Sequence, residues 1–161
     1  MNISKINSLV ELYFKKAQVV NGKKPFLKWL KLNEPTYTWE DVTLKILKLS
    51  SKIKSFINEG DRCLILSENR PDWLITDIAI MNAGGISVPI FTTYSASDYE
   101  YILNDCKPSI IIVSNQNQFS KIKKIINSDI KKIISFEKID TDSLLIKEII
   151  DEEIDEKIIN K

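Results

Sequence analysis

The chain has 161 residues, of which 43% are hydrophobic and 28% charged, with a formal net charge of +1 and no histidine. This is enough chain for a single domain to bury its own core. Its charge balance excludes the strongly basic face of a nucleic-acid binder, and no apolar run approaches the roughly 18 residues of a membrane span. Lack of histidine removes Ser–His and Cys–His nucleophile pairs and any imidazole general base. Cys63 and Cys106 are the only cysteines. They are too few for a disulfide framework or a structural zinc site, and their apolar neighbours point to reduced thiols in the cytosol.

The first segment, Met1 to Val20, carries Glu11, Lys15 and Lys16 among its apolar positions. It lacks the continuous apolar core of a signal peptide. Ile6, Leu9, Val10 and Tyr13 instead have the spacing of a helix running to Val19. Asn21, Gly22 and Pro25 break it. Phe26 to Leu32 reads as a short strand, Asn33-Glu34-Pro35 as a turn, and Tyr37 as the start of another extended piece.

Thr38 and Asp41 form a capping-box pattern. Trp39, Val42, Ile46, Leu49, Ile53 and Phe56 then step along one helical face. Gly60 follows as the expected left-handed C-cap. Cys63 to Leu66 is a short apolar run, expected to be a buried strand.

Pro71 suits the first turn of the next helix, where its missing N–H costs little. Asn69 is the expected cap. Trp73 to Met81 is apolar around most of its circumference, so this helix should be buried on several sides. Gly84-Gly85 ends it. Ile86 to Phe91 is the next strand, and Pro89 restricts it to an edge or a bulge. After the loop Thr92-Thr93-Tyr94, Ser95 or Ser97 caps a helix bearing Tyr99, Ile102, Leu103 and Cys106 on one face. Lys107-Pro108 stops that helix, and Ser109 to Val113 is a strand.

Beyond Val113 the pattern is weaker. Gln116 to Asn127 reads as a helix with Phe119, Ile122 and Ile126 inward, and Lys131 to Phe136 as one more strand. Asp140 to Lys161 is acidic and isoleucine-rich, with Leu144, Ile149, Ile154 and Ile158 at roughly helical spacing. The alternation of strands and helices predicts an α/β fold, a parallel or mostly parallel sheet flanked by helices. We read residues 1–161 as one unit: an N-terminal helix and short strand (1–35), a βαβ core (36–115), and a weakly specified C-terminal part (116–161).

Two strand ends hold candidate site residues, because ligands in open α/β sheets bind beyond the carboxyl ends of strands. Glu68, Asn69 and Arg70 read either as the polar rim of a ligand crevice or as a capped turn with a solvent-facing salt bridge. Phe91-Thr92-Thr93-Tyr94 reads either as a site for a flat polar ligand or as an ordinary hydroxyl-capped turn. Lys121, Lys123 and Lys124 read either as phosphate contacts or, as charge runs usually do, as a solvated helix face. Gly84-Gly85 lies between helix and strand, not between strand and helix as a phosphate fingerprint requires. The acidic residues of the tail are too scattered to form a general acid–base pair. A small flavodoxin-like protein is an alternative fold, but no phosphate loop follows the first strand.

Four stretches in order, YTWEDV (37–42), GDRCLILSENRPDW (60–73), AGGISVPIFTTY (83–94) and YILND (101–105), resemble the N-terminal part of AMP-forming acyl-CoA synthetases. SENRP and FTTY point to the long-chain fatty acid–CoA ligase branch of this adenylate-forming superfamily. The resemblance covers roughly Thr36 to Asn115. It implies a truncated N-terminal subdomain of the adenylate-forming fold. In the intact enzyme it implies ATP, Mg²⁺ and CoA, with a fatty acid as substrate. It also implies a cytoplasmic location, free or peripheral to the inner face of the membrane. Protein partners would be the remainder of the ligase or a second copy of the chain. The family's SGTTGxPKG phosphate loop, adenine-binding YGxTE segment, ribose-binding aspartate and catalytic lysine have no counterpart here, so no catalytic residue carries over and the chain alone is expected to be inactive. The segment matching Phe91, Thr92 and Thr93 approaches the CoA nucleotide in related synthetases, although theirs is often glycine-rich. The competing reading is a stand-alone α/β binding or interaction module derived from the same fold.

Overall fold

The computed structural model describes residues 6–29 and 35–152. The first helix is α1 (Leu9–Val19), capped by the Ser8 hydroxyl, which accepts from the Glu11 N–H. It starts three residues later than the periodicity predicts, because Ser8 takes extended backbone and satisfies an N–H of the first turn. Strands β1 (Pro25–Lys28) and β2 (Thr36–Thr38) pair antiparallel as a separate hairpin. The strand expected over Phe26–Leu32 thus ends at Lys28, and its last three residues lie outside the described part.

Helix α2 (Trp39–Lys54) begins with the expected capping box: Thr38 and Asp41 each bond the other's backbone N–H. It ends earlier than its apolar stripe suggests, at a Ser55 C-cap in right-handed conformation. Gly60 does adopt φ +81°, but in the turn after the helix, where its N–H donates to Gly84 O at 2.8 Å. The expectation of a glycine C-cap therefore misplaces a correctly identified left-handed residue.

The main sheet has five strands in the order β4-β3-β5-β6-β7, all parallel. These are β3 (Arg62–Leu66), β4 (Ile86–Ile90), β5 (Ile110–Val113), β6 (Lys132–Ser135) and β7 (Leu144–Leu145). The connecting helices are α3 (Pro71–Asn82), α4 (Ala96–Cys106), α5 (Gln116–Ile122) and α6 (Ile146–Asp151). The central strands β3 and β5 are apolar on both faces because both faces are covered. Cys63, Ile65, Ile110 and Ile112 face a core shared with α1, α2, α3 and α6. Leu64, Leu66, Ile111 and Val113 face a second core with Tyr99, Leu103, Phe119 and Ile122 of α4 and α5. Pro89 falls on the edge strand, where a missing N–H costs no ladder bond.

Helix α3 is the central helix of the first core. Ile75, Ile78, Ala79 and Ile80 are buried, while Trp73, Leu74 and Met81 pack half-buried against the same cluster. Its nearly all-round apolar surface is thus covered from within the chain. Pro71 occupies its first turn, but the N-cap is Arg70 and not the expected Asn69, and no side chain caps it. At α4, Ser95 caps with Asp98 as reciprocal partner, which resolves the Ser95/Ser97 alternative. Lys107 closes that helix at φ 44°. The helix expected over Gln116–Asn127 stops at Ile122, and Ile126 packs on the second core from the turn beyond it. Leu144, expected in a helix, lies in β7 and packs on the first core. Ile154 and Ile158 lie outside the described residues.

Candidate functional site

In an all-parallel sheet every carboxyl end faces the same way. The register pairs Leu66 with Ile90 and with Val113, and Val113 with Ser135. The segments Ser67–Arg70, Phe91–Tyr94, Ser114–Asn115 and Phe136–Glu137 therefore share one rim of the molecule.

Phe91, Thr92 and Thr93 leave the end of edge strand β4. The Phe91 ring is 69% exposed and meets Tyr94 edge-on, with ring centres 5.4 Å apart. The backbone beneath is fixed. Tyr99, buried in the second core, donates its hydroxyl to Phe91 O at 3.0 Å, and Lys121 on α5 donates its ammonium to Thr92 O at 2.5 Å. This is a held loop presenting an aromatic face, a half-buried and an exposed threonine, and a cation. The lysine run hides this: Lys123 pairs with Asp140 at 3.2 Å on the exposed side, whereas Lys121 turns inward to the loop. Only the tertiary fold separates the two.

Glu68 lies on the same rim. Burial works to raise its carboxyl, but the Ser114 hydroxyl beside it, its own backbone N–H and the amides of Gln118 and Asn115 hold it below the ordinary carboxylate range. Gln118 Nε2 donates at 2.6 Å and Asn115 Nδ2 at 3.5 Å. Glu68 thus links the β3 end to the start of α5.

Arg70 carries features of both sequence readings, since it borders a cleft and bridges an exposed carboxylate, but its side chain is also built into the protein. Its side chain is only 14% exposed. It binds Asp72 and Glu137, each at 2.9 Å, and lies over the rings of Trp29 at 4.7 Å and Phe136 at 5.2 Å. Burial opposes its charge and the two carboxylates more than restore it. The Asp72 end of the salt bridge is therefore half-buried while the Glu137 end faces solvent, and the cation is committed to the protein. Asn69, exposed, borders a cleft of about 360 Å³ with Arg70, Leu27, Trp29, Pro71 and Leu74.

Both thiols are shifted away from the thiolate form. Cys63 is fully buried, and burial pushes it up to about 12. Cys106 is raised by burial as well. Among the described residues no three His, Cys, Asp or Glu side chains converge as a metal set. Gly84 and Gly85 lie at the opposite end of the sheet, where Gly85 N–H donates to Ile80 O at 3.0 Å and packs β4 against α3. The described residues therefore supply no carboxylate set for Mg²⁺, and Gly84-Gly85 forms no glycine cradle at the carboxyl rim.

The family model for AMP-binding enzymes matches residues 14–158. The chain belongs to the AMP-binding enzyme family. Among curated relatives, fatty acyl-CoA synthetase A of Dictyostelium discoideum is 28% identical over 119 residues, 74% of this chain and 17% of the relative. A long-chain-fatty-acid–CoA ligase of Gallus gallus is 33% identical over 106 residues, 66% of this chain and 13% of the relative. The chain thus spans less than a fifth of either. Among solved structures, a luciferase-like enzyme from the mealworm Zophobas morio superposes with a TM-score of 0.80 at 23% identity, over 98% of this chain and 36% of that one. A benzoate CoA ligase from Burkholderia xenovorans gives 0.74 at 15%, over 91% and 28%. At these identities the likeness shows the fold alone. No helix among the described residues is long and apolar enough to cross a membrane.

Proposed function

We propose that this chain is the N-terminal α/β unit of a long-chain fatty acid–CoA ligase. In that reading the whole enzyme joins a fatty acid to ATP as acyl-adenylate with release of pyrophosphate, and the CoA thiol then displaces AMP. The observation that carries it is the match to a fatty acyl-CoA synthetase across 74% of the chain and to a long-chain-fatty-acid–CoA ligase across 66%, with the Phe91–Thr93 loop held at the carboxyl rim of the sheet. Phe91, Thr92 and Thr93 form one wall of the CoA crevice. The exposed ring offers a stacking face, the hydroxyls offer hydrogen bonds, and the Lys121 ammonium beside Thr92 O favours a phosphate-bearing ligand. ATP, Mg²⁺ and acyl-transfer chemistry belong to residues outside this chain, so the chain alone catalyses no ATP–pyrophosphate exchange.

Two measurements test this. An antibody to this segment, used on the source cells, is expected to detect a polypeptide several times heavier than 18.5 kDa. A band at 18.5 kDa counts against the ligase reading. In that heavier ligase, Thr93→Val is expected to slow thioester formation about tenfold and leave acyl-adenylate formation unchanged, as for loss of one polar contact to the second substrate. Equal loss in both steps removes the CoA role.

One observation favours a second reading, an independent binding module of the same fold. The chain covers α3 and builds both sheet cores from its own residues. The 18.5 kDa outcome selects it.

A further inference from the structure

The balanced total charge hides an uneven distribution. Residues 1–54 hold eleven lysines against four carboxylates, and residues 55–161 hold twelve basic against eighteen acidic side chains. Asymmetry of this kind points to an anionic partner for one side of the molecule. The lysine row of α2 is engaged within the fold. Lys45 lies over the Tyr37 ring, and Lys48 and Lys52 hold the backbone and the carboxylate of Glu152. The free excess lies on α1 and the turn after it. Residues 15–24 read KKAQVVNGKK, with four exposed lysines and no acid. Lys15 pairs with Glu11 on its own helix at 2.5 Å, and among the described residues Lys16, Lys23 and Lys24 form no ion pair. Of the acids that open α2, Asp41 is closed in its capping box and Glu40 packs against Gly22, so one carboxylate stands beside the four lysines.

Apolar side chains stand among these lysines. Tyr13, Phe14 and Ala17 face the first core. Leu9, Leu12, Lys16 and Val19, at intervals of three, four and three, share another side of the helix. Leu9 is 54% and Val19 73% exposed. Exposed leucine and valine within a lysine cluster suit the boundary of a bilayer. There apolar side chains enter beneath the headgroups, and lysine stems lie along them with the ammonium groups held at the acidic lipids. Nucleic acid suits the face less well. The rings of this layer, Tyr13, Phe14, Phe26 and Trp39, pack on one another, so the outer side of α1 offers bases no stacking partner.

We propose that the outer side of α1 and the turn 21–24 form a docking surface for an anionic lipid bilayer. Leu9 and Val19 enter the headgroup layer, and Lys15, Lys16, Lys23 and Lys24 meet the acidic headgroups. The acidic remainder of the chain is repelled by the same surface, which turns α1 toward it. The inference stands on charge and exposure, and is independent of the ligase reading.

Sedimentation of the full chain with vesicles tests it. With phosphatidylcholine vesicles containing about 30% phosphatidylserine, most of the chain is expected in the pellet at about 0.1 M salt, against under about a tenth with phosphatidylcholine alone. Raising the salt to about 0.5 M is expected to weaken binding about tenfold. Lys16→Glu combined with Lys23→Glu and Lys24→Glu is expected to weaken it at least about tenfold. Should that variant unfold, Lys23→Glu with Lys24→Glu, outside any helix, is expected to weaken it about threefold or more. Val19→Ser, with every lysine kept, is expected to weaken it about threefold. An environment-sensitive fluorophore at Val19→Cys, in a Cys106→Ser background, is expected to brighten on the acidic vesicles. Cys63, buried and pushed up to about 12, stays unlabelled. The same probe at Tyr101→Cys, an exposed position of α4, is expected to keep its emission. Absence of the chain from the pellet, equal binding to both vesicle types, or equal brightening at positions 19 and 101 overturns the proposal. So does tighter binding to single-stranded RNA than to the acidic vesicles with no loss in Val19→Ser, which makes the partner a nucleic acid.

Discussion

Arg70 illustrates how a charged turn residue can become structural. Its guanidinium lies over Trp29 from the N-terminal segment and Phe136 after β6, and binds Asp72 and Glu137. One side chain therefore joins residue 29 to residue 136 across the carboxyl rim. Arginine suits this because its planar cation stacks on rings and bonds carboxylates at once. Arg70→Ala leaves Asp72, 18% exposed, without its partner and opens the ring stack. The expected cost is about 2–3 kcal/mol, below the full loss of a completely buried pair because Glu137 is 57% exposed. Glu137→Gln, at that exposed end, is expected to cost under about 1 kcal/mol. Urea unfolding of the two variants distinguishes the cases. Equal small losses mean that the guanidinium contributes no more than a surface charge. Neither sequence reading of Arg70 anticipates this, because both ring partners are distant in sequence and the apolar pattern does not show which loops meet.

At the scale of elements, what the sequence reveals depends on how local the cause is. The α2 capping box, Pro71 in the first turn of α3 and the placement of Pro89 on an edge strand all follow from neighbours within a few residues, and all are legible. The ends of α5 and β1 are not. Ile126 satisfies its burial from a turn, so its apolar character reads as helix when only packing requires it. Asn69 has the better capping chemistry, yet Arg70 takes the N-cap position because Pro71, the first helical residue, holds the residue before it in extended backbone. At the site, the carboxyl-end position of Phe91–Thr93 is legible, whereas the contacts of Tyr99 and Lys121 that fix the loop depend on the folded second core. A local cause also gives a local prediction. Ser95 Oγ accepts from the Asp98 N–H at 3.3 Å, and Asp98 accepts from the Ser95 N–H at 2.9 Å. Ser95→Ala is expected to cost about 1 kcal/mol, while Ser97→Ala, whose hydroxyl touches only Ser95 Oγ at 2.9 Å, is expected to cost a few tenths. Hydrogen exchange in the first turn of α4 should accelerate in the first variant only. The reverse order moves the cap to Ser97.

For the whole molecule, a second long-range tie matches Arg70 at the opposite end of the sheet. Asp61, before β3, accepts from the Asn58 N–H at 3.0 Å and from Lys131, before β6, at 3.0 Å. The Asn58 bond and then the Lys131 bond hold its carboxyl down to about 2. Glu11, Asp41, Glu68 and Asp98 are lowered in the same direction. A carboxylate lowered on folding stabilises the native state fully above its unfolded value and loses that contribution as pH falls toward its folded value. For Asp61 the window runs from about pH 5 down to about pH 2. The chain is therefore expected to lose stability steadily on acidification through this window. Because Asp61 is 19% exposed and Lys131 45%, screening reduces the share of Asp61 to about 1 kcal/mol. Asp61→Asn is expected to be less stable than the natural chain by that amount at pH 7 and to converge with it near pH 2. Chemical unfolding at pH 7, 5, 4, 3 and 2 measures both slopes. Parallel curves mean that Asp61 carries the same proton occupancy folded and unfolded, and then the tie between the starts of β3 and β6 is geometric and contributes no pH-dependent stability.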